Sequence, residues 1–397
     1  MNPRWLLPEQ VEDLLPVEAW KLESARSRLL ALFRGHGYDL VVPPALEYME
    51  SLLTGTGEGG DLETFKVVDQ LSGRLLGLRA DITPQVARID AHRLAGDGVR
   101  RLCYAGSIYH ALARSAGQSR EPFQIGAELY GHAGLAADLE VQGLLLDALG
   151  ELGLQDYVLD LGHVGIFRAL TGELPAALEA GLLAAMQGKN IPLVEELSAG
   201  LPEPQRSALR ALPLLCGGVE VLAEARTALP NLPGIASALD ELDRAAASLA
   251  GKARQEIDLA ELRGYAYHSG MVFAVYAAGH PGSVARGGRY DAIGEAFGRS
   301  RPATGFSIDL RDLLPALPAA RPVGAAWLPA AEAARLQAPA LARELAALRA
   351  GGQVVIRELE GGDGRIDPRC DHLLVVQQGG LQARPLDPQS IREAKAS

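Results

Sequence analysis

Cysteine is scarce and never paired: Cys103, Cys216 and Cys370 are the three in 397 residues, and no C-x-x-C spacing occurs. An odd, scattered set excludes a disulfide framework or a thiolate metal site as the organising device and predicts a reducing, cytoplasmic setting. Long apolar runs are missing too. No stretch approaches the ~18 uninterrupted apolar residues of a membrane helix. The opening MNPRWLLPEQVEDLLP has no basic patch followed by an apolar run, so a secretory leader is not expected either. Positive charge is in deficit, with 38 basic residues against 49 acidic and a formal net charge of −11. That balance disfavours nonspecific contact with nucleic acid or anionic membrane. The eight histidines are dispersed and form no H-x-x-x-H pair, so no zinc site is expected.

What is present is ordinary for a globular chain: 48% hydrophobic and 22% charged residues. At roughly 100–200 residues per domain, the length predicts two or three units. Residues 16–34 repeat apolar positions at helical spacing and stop at Gly35 and Gly37. Strand signals follow in YDLVV before Pro43-Pro44, in FKVVD (65–69), RLLGLR (74–79), 100–110 and 121–131. The short connections favour an antiparallel sheet over βαβ crossovers. From about Ala136 to Ala250 the chain is Ala/Leu-rich and broken by prolines, which predicts a helical insertion around 164–256 after the strand-like YVLDLGH at 157–163. Strand signals return in LRGYAYH (262–268), MVFAVYAAG (271–279) and ATGFSIDL (303–310). A linker around Pro315–Pro322 then leads to VGAAWLP, a helix over 331–350, QVVIREL and HLLVVQQ. The expected organisation is a first domain over 1–316 and a small α/β domain over 317–397, with no internal repeat.

One motif is set aside. Gly55-Thr56-Gly57-Glu58-Gly59-Gly60 fits G-x-G-x-x-G, but a helical segment precedes it and Asp61 and Glu63 put negative charge where a phosphate belongs. It is read as a Gly-rich loop. His163, at a strand end, is read as a structural histidine.

Three other segments occur in a fixed order: LRADITPQVARI (78–89), YAGSIYHALARSAGQSREPFQIGAELYG (104–131) and LRGYAYHSGMVFAVY (262–276). RGGRYDAIGEAFG and ATGFSIDLRDLL follow the third. Together they resemble the catalytic domain of histidyl-tRNA synthetase, a class II aminoacyl-tRNA synthetase, over about residues 5–315. The resemblance implies an α+β fold: an antiparallel sheet flanked by helices, with dimerisation through a first motif spanning the helix to Gly35, YDLVV, Pro43-Pro44 and Glu47. It also implies a histidine pocket. A free histidine offers an ammonium, a carboxylate and an imidazole, which call for an acid, an arginine and a further hydrogen-bonding acid or amide. By resemblance, Asp81 and Thr83 hold the amino group, Gln124 and Glu128 contact the amino group and the ring, and Arg263 faces the carboxylate. Tyr267 and His268 fall where the family has two tyrosines around the ring. Asp81 replaces a glutamate and His268 a tyrosine.

The nucleotide half departs further. Amino-acid activation needs cations where charge develops on the α-phosphate. Alignment with the family puts His110 and Asp312 at its two arginines and Leu112 at a neighbouring glutamate. Arg311 lies one position away, about 100° round a helix, and Arg114 and Arg120 remain in the nearby loop. ATP activation is therefore expected to be absent. No basic face is evident in the terminal unit, where the synthetase has its anticodon-binding domain.

The openings LLPEQVEDLLP and GYDLVVPPALEYMESLL, with FKVVDQLSGRLLGLRADITPQVARI, resemble a family of synthetase paralogues: regulatory subunits of the short-form ATP phosphoribosyltransferase, at the first step of histidine biosynthesis. That resemblance implies no catalytic residues and no cofactor. It also implies a catalytic-subunit partner, a homodimer within a hetero-oligomer, histidine as effector and no tRNA. The alternatives are a divergent histidyl-tRNA synthetase or related amino-acid ligase, and a tRNA-binding module without catalysis.

Overall fold

Alternation in FQIGAELY places Gln124, Gly126 and Glu128 on one side of a strand and Ile125, Ala127 and Leu129 on the other. A computed structural model describes residues 6–54, 60–94, 96–112, 118–280, 282–318, 324–359, 361–362 and 365–387. The Gly-rich run at 55–59, Arg114 and the tail from 388 lie outside the described residues. The chain divides into two compact units, Met1–Pro318 and Ala319–Ser397.

In chain order, the strands of the first unit are β1 (Asp39–Leu40), β2 (Leu46–Tyr48), β3 (Phe65–Val68), β4 (Leu75–Leu78), β5 (Arg100–Ser107), β6 (Phe123–Tyr130), β7 (Tyr157–His163), β8 (Cys216–Gly217), β9 (Arg254–Asp258), β10 (Met271–Ala277), β11 (Ser283–Arg289) and β12 (Ala303–Asp309). Nine form one sheet in the order β1-β5-β6-β12-β11-β10-β7-β9-β8, and β2-β4-β3 make a second. The large sheet is antiparallel except where β1 meets β5 and β7 meets β9.

Register decides what each face carries, because directly opposed residues point the same way. Gly126 stands between Tyr104 and Ser307, Glu128 opposite Gly305, and Gly305 opposite Gly288. Ser307 faces Arg286, Arg286 faces Ala274, and Ala274 faces Asp160. One face is thus a floor of glycines, polar groups and charges. The other is core. There Ile125, Leu129, Leu161 and Phe306 pack with Leu29 and Phe33 of the helix Pro16–Gly35 and with Leu145 and Leu149 of the helix Leu135–Leu152. Each such side chain contributes ~1.5–3 kcal/mol by leaving water. On the floor side a smaller cluster of Ile82, Val86, Tyr104, Tyr130 and Tyr290 supports the helix Thr83–His92.

The helix expected over 16–34 spans Pro16–Gly35, with Ala25, Leu29 and Phe33 buried at four-residue spacing. The insertion is helical from Val164–Thr171 to Pro233–Ser248. Three expectations are corrected. LRGYAYH is not a strand: Gly264 adopts φ +71° and the amides of Tyr267 and His268 both donate to its carbonyl, so the segment turns over the floor. YDLVV pairs only at Asp39–Leu40 before the prolines. The helix over 331–350 splits into Ala330–Ala333 and Ala338–Ala350, the second started by Pro339. Strands β2, β8, β9 and β11 were not expected, and the segment LEYMESLLT before the Gly-rich run, read as helical, is a helix only over Met49–Leu53.

In the second unit, β13 (Ala325–Leu328), β14 (Val354–Arg357), β15 (Cys370–Gln377) and β16 (Gly380–Pro385) form a sheet in the order β14-β13-β15-β16. The helix Ala338–Ala350 buries Leu341 and Leu345 in the same core as Ala326, Leu328 and Leu374 of this sheet, giving a small α/β layer structure. No helix among the described residues is long and apolar enough to cross a membrane.

Candidate functional site

The floor of the large sheet and the start of the helix Thr83–His92 bring four of the expected site residues together, Asp81, Thr83, Gln124 and Glu128. Asp81 Oδ1 accepts from Gln124 Nε2 at 2.8 Å and from the Thr83 amide at 3.1 Å. Gln124 Oε1 accepts from the Ile82 amide at 2.9 Å. Both ends of the Gln124 amide are used, which fixes its orientation.

A chain of hydroxyls runs from this end to Glu128. Thr83 Oγ1 and the Tyr104 hydroxyl lie 3.1 Å apart, and the Tyr104 hydroxyl donates to Glu128 Oε1 at 3.1 Å. The Tyr290 hydroxyl donates to Glu128 Oε2. Glu128 is 1% exposed, and burial pushes its carboxyl up to about 8 even though the phenols favour the charged form. Burial also raises Tyr104 and Tyr290 well above the ordinary phenol value, with Glu128 adding to the shift. Space for this arrangement comes from two glycines. A Cβ on Gly126 would stand 2.5 Å from the Tyr104 hydroxyl, and one on Gly305 would overlap the Glu128 carboxylate.

Tyr267 closes the ring side. Its ring centre lies 5.1 Å from that of Tyr290, and its buried hydroxyl has no hydrogen-bond partner among the described residues. His268 packs edge-on against Tyr267 at 5.4 Å, and its Nδ1 donates to the Arg289 carbonyl at 3.3 Å. Burial pushes His268 down to about 4, so it is a neutral wall of the site at pH 7.

Arg263 stands apart from the acids Asp81 and Glu128 in its bonding. Its Nε donates to Glu261 Oε1 at 3.1 Å, its NH2 nitrogen lies 2.8 Å from Glu261 Oε2, and the same nitrogen donates to the Tyr276 hydroxyl at 2.8 Å. Glu261 belongs to the one group of potential metal ligands among the described residues, with Asp160 and Asp258, whose oxygens lie within 4.8 Å of one another. Arg263 neutralises Glu261 and Lys189 pairs with Asp258 at 2.6 Å, so two of the three acids already have cations.

His110 and Asp312 do converge. They line one open cavity of about 380 Å³ with Gln118, Gln124, Arg286 and Asp309. The His110 ring donates to the Ala80 carbonyl at 3.1 Å. Asp312 accepts from Gln118 Nε2 at 3.1 Å and lies 3.9 Å from His280 Nε2. Asp309 caps the turn that carries Asp312, and burial beside Asp312 pushes its carboxyl up to about 7. Arg311 bonds the Glu121 carbonyl at 3.3 Å, and Arg120 the His110 carbonyl at 3.1 Å. His163 is structural: its Nδ1 accepts from the Gly165 amide at 3.0 Å and its Nε2 lies 3.3 Å from Glu241.

Sequence reasoning missed Tyr104 and Tyr290, the two phenols on Glu128. Strand parity carries the signal for Tyr104, which faces Gly126. The RGGRYD segment carries it for Tyr290. There Arg289 locks β11 to the helix Leu135–Leu152 through Asp138 at 2.7 Å, and Tyr290 follows.

A glycine-floored antiparallel sheet with this acid and phenol cluster defines a histidyl-tRNA synthetase-like domain, and the histidyl-tRNA synthetase family model matches residues 10–313. Among solved structures, an ATP phosphoribosyltransferase regulatory subunit/histidyl-tRNA synthetase from Bacillus halodurans is 27% identical, with a TM-score of 0.77 over 90% of this chain and 94% of the other. A chain of the ATP phosphoribosyl transferase complex from Thermotoga maritima, 24% identical, shares the fold with a TM-score of 0.56 over 75% and 98%. The ATP phosphoribosyltransferase regulatory subunit of Cupriavidus taiwanensis is 54% identical over 391 residues, 97% of this chain and 100% of that protein. The chain belongs to the ATP phosphoribosyltransferase regulatory subunit family.

Proposed function

We propose that this chain has no reaction of its own and serves as the histidine-responsive subunit of an ATP phosphoribosyltransferase. It assembles as a homodimer with the short catalytic subunit in the cytoplasm, supports phosphoribosyl transfer to ATP, makes that step sensitive to histidine and does not bind tRNA. The 54% identity to a protein named as this regulatory subunit supports the assembly. The observation that carries the ligand reading is the contrast between the two halves of the floor. The Gln124–Asp81–Thr83–Tyr104–Glu128 network is continuous and suits a small molecule with an ammonium and a ring N–H. The adjoining cavity presents Asp309 and Asp312, acids that repel a polyphosphate.

Histidine inhibits only by binding one state of the assembly more tightly than another. The test mixes the purified chain with the short catalytic subunit of the same organism, follows co-elution and titrates histidine into the activity assay. The expected result is one co-eluting complex, with higher activity that falls on adding histidine. Separate elution with activity indifferent to this chain overturns the proposal.

A further inference from the structure

We propose that the helical insertion controls the histidine pocket through a clamp. Arg168 and Glu179 hold, from outside, the turn that carries Tyr267 and His268 over the floor. This rests on the histidine-pocket reading above and names a regulation of that site.

The turn has two sides. On the inner side the Tyr267 ring lies against Tyr290, whose hydroxyl donates to Glu128. Burial first, and the neighbouring Asp81 and Glu128 next, push the Tyr267 hydroxyl well above the ordinary phenol value, so it stands among the acids of the site. The outer side faces the insertion. Residues 262–269 belong to no strand, so their carbonyls need donors from elsewhere. Arg168, on the helix Val164–Thr171, donates to the His268 carbonyl at 3.0 Å and to the Ser269 carbonyl at 3.4 Å. Gln187, at the end of the helix Ala176–Gln187, donates to the Leu262 carbonyl at 2.8 Å.

Tyr265 is the peg of this clamp. It precedes Tyr267 by two positions and points the other way. Its ring meets the fully buried Phe167 edge-on at 5.3 Å, and the Arg168 guanidinium lies 5.1 Å from its centre. Its hydroxyl donates to Glu179 Oε1 at 2.7 Å, and Thr171 donates to the same oxygen at 3.3 Å. Two helices of the insertion thus grip Tyr265 and the His268 carbonyl, while Tyr267 between them closes the ring side of the pocket.

The grip is adjustable, because Arg168 is exposed and holds by hydrogen bonds rather than by core packing. Each such bond biases the seated turn by about 2- to 10-fold. A ligand that needs Tyr267 and His268 seated binds more weakly by the fraction unseated. Linkage runs both ways: histidine tightens the clamp, and a partner protein that draws the insertion away weakens histidine.

The test is amide hydrogen exchange and calorimetry on the full chain with L-histidine. The proteins are the wild type, the double variant Arg168→Met/Tyr265→Phe, and Arg226→Gln. The double variant keeps a ring against Phe167 but removes the bonds. Arg226→Gln breaks ion pairs to Asp240 and Asp243 elsewhere in the insertion and is the control. In the wild type, saturating histidine should slow exchange at the Tyr267 and His268 amides and also along Val164–Thr171 and Ala176–Gln187. The double variant should keep the first protection, lose the second, and bind histidine at least about 2- to 10-fold more weakly. Protection kept at the turn also reports an intact fold there. Arg226→Gln should match the wild type in both measurements. Protection that stops at the turn in the wild type overturns the clamp, whatever the variants do, and leaves the pocket reading standing. So does protection that still reaches the insertion in the double variant, wild-type affinity in that variant, or an equal loss in Arg226→Gln. Absence of histidine binding to the wild type sinks the pocket reading, and this proposal with it.

Discussion

Replacing Glu128 by Gln isolates one titration at the centre of the site. The carboxyl is buried at 1% exposure, holds two phenol donors, and is pushed up to about 8 by burial. In an unfolded chain it titrates near the ordinary glutamate value of about 4.3. Between those two values the folded chain holds a proton that the unfolded chain has released. Stability therefore falls as pH rises, by up to about 1.4 kcal/mol per pH unit from this group. Glu128→Gln preserves shape and one acceptor oxygen but cannot titrate, so it removes that slope. Asp160 and Asp309, each pushed up to about 7 by burial first and neighbouring acids second, contribute slopes of the same sign. His268, pushed down to about 4, contributes the opposite sign between that value and its ordinary 6.5. Subtracting variant from wild type cancels these other groups. Urea denaturation of both proteins at several pH values from 5.5 to 7.5 supplies the difference. The wild type should lose stability relative to Glu128→Gln across that window, with close to one proton's worth of slope up to about pH 7 and less as the pH nears the folded value of about 8. Parallel curves for the two proteins would refute the burial argument, because they would mean that Glu128 has the same proton affinity folded and unfolded.

Gly305→Ala puts a Cβ onto the Glu128 carboxylate and 2.7 Å from the Ala127 carbonyl. The expected cost is about 1–3 kcal/mol in urea denaturation, with weakened histidine binding by calorimetry; wild-type values for both would show that the pocket tolerates the methyl. Pyrophosphate exchange into ATP, driven by histidine, should match a no-enzyme blank, because His110 and Asp312 line the cavity where activation needs cations. Exchange well above the blank would mean that the chain activates histidine after all.

Much of this site is legible in the sequence because period-2 alternation is local. FQIGAELY alone puts Gln124 and Glu128 on one face, and LRADIT alone seats Asp81 two residues before Thr83, where its carboxylate takes the Thr83 amide. What was hidden depends on distant partners. Nothing in the segments around Tyr104 and Tyr290 shows that both phenols meet Glu128. LRGYAYH has the composition of a strand, and the turn at Gly264 overrides it, sending Tyr267 onto Tyr290 at the floor and Tyr265 against Phe167 and Glu179 of the helical insertion. Strand β11 escaped notice because Arg286-Gly287-Gly288-Arg289 offers almost no apolar signal. Its glycines are there for the neighbours: a Cβ on Gly288 would stand 2.8 Å from the His268 ring.

On the proposed reading, the same register lets a floor of this kind keep a ligand pocket while presenting a poor surface to ATP. Binding an amino acid takes a few hydrogen bonds and one charge of each sign; on the proposed reading the hydrogen bonds and the negative charge come from Asp81, Thr83, β5 and β6. Binding a triphosphate takes several cations on one side. That side of the floor carries Asp309 and Asp312 against His110 and Arg286, with Gln118 and His280 turned to Asp312. Asp312 is 15% exposed in its side chain and adjoins Asp309, whose carboxyl is pushed up to about 7, so Asp312 beside a partly ionised Asp309 sets the local field near neutrality. Substituting one of them leaves the other, and restoring a nucleotide site requires changes on β12, the following turn and the 118–120 segment together. On the proposed reading, the chain affects metabolism only through whatever it binds. For that reason the partner experiment, rather than any assay of this chain alone, carries the weight of the functional conclusion.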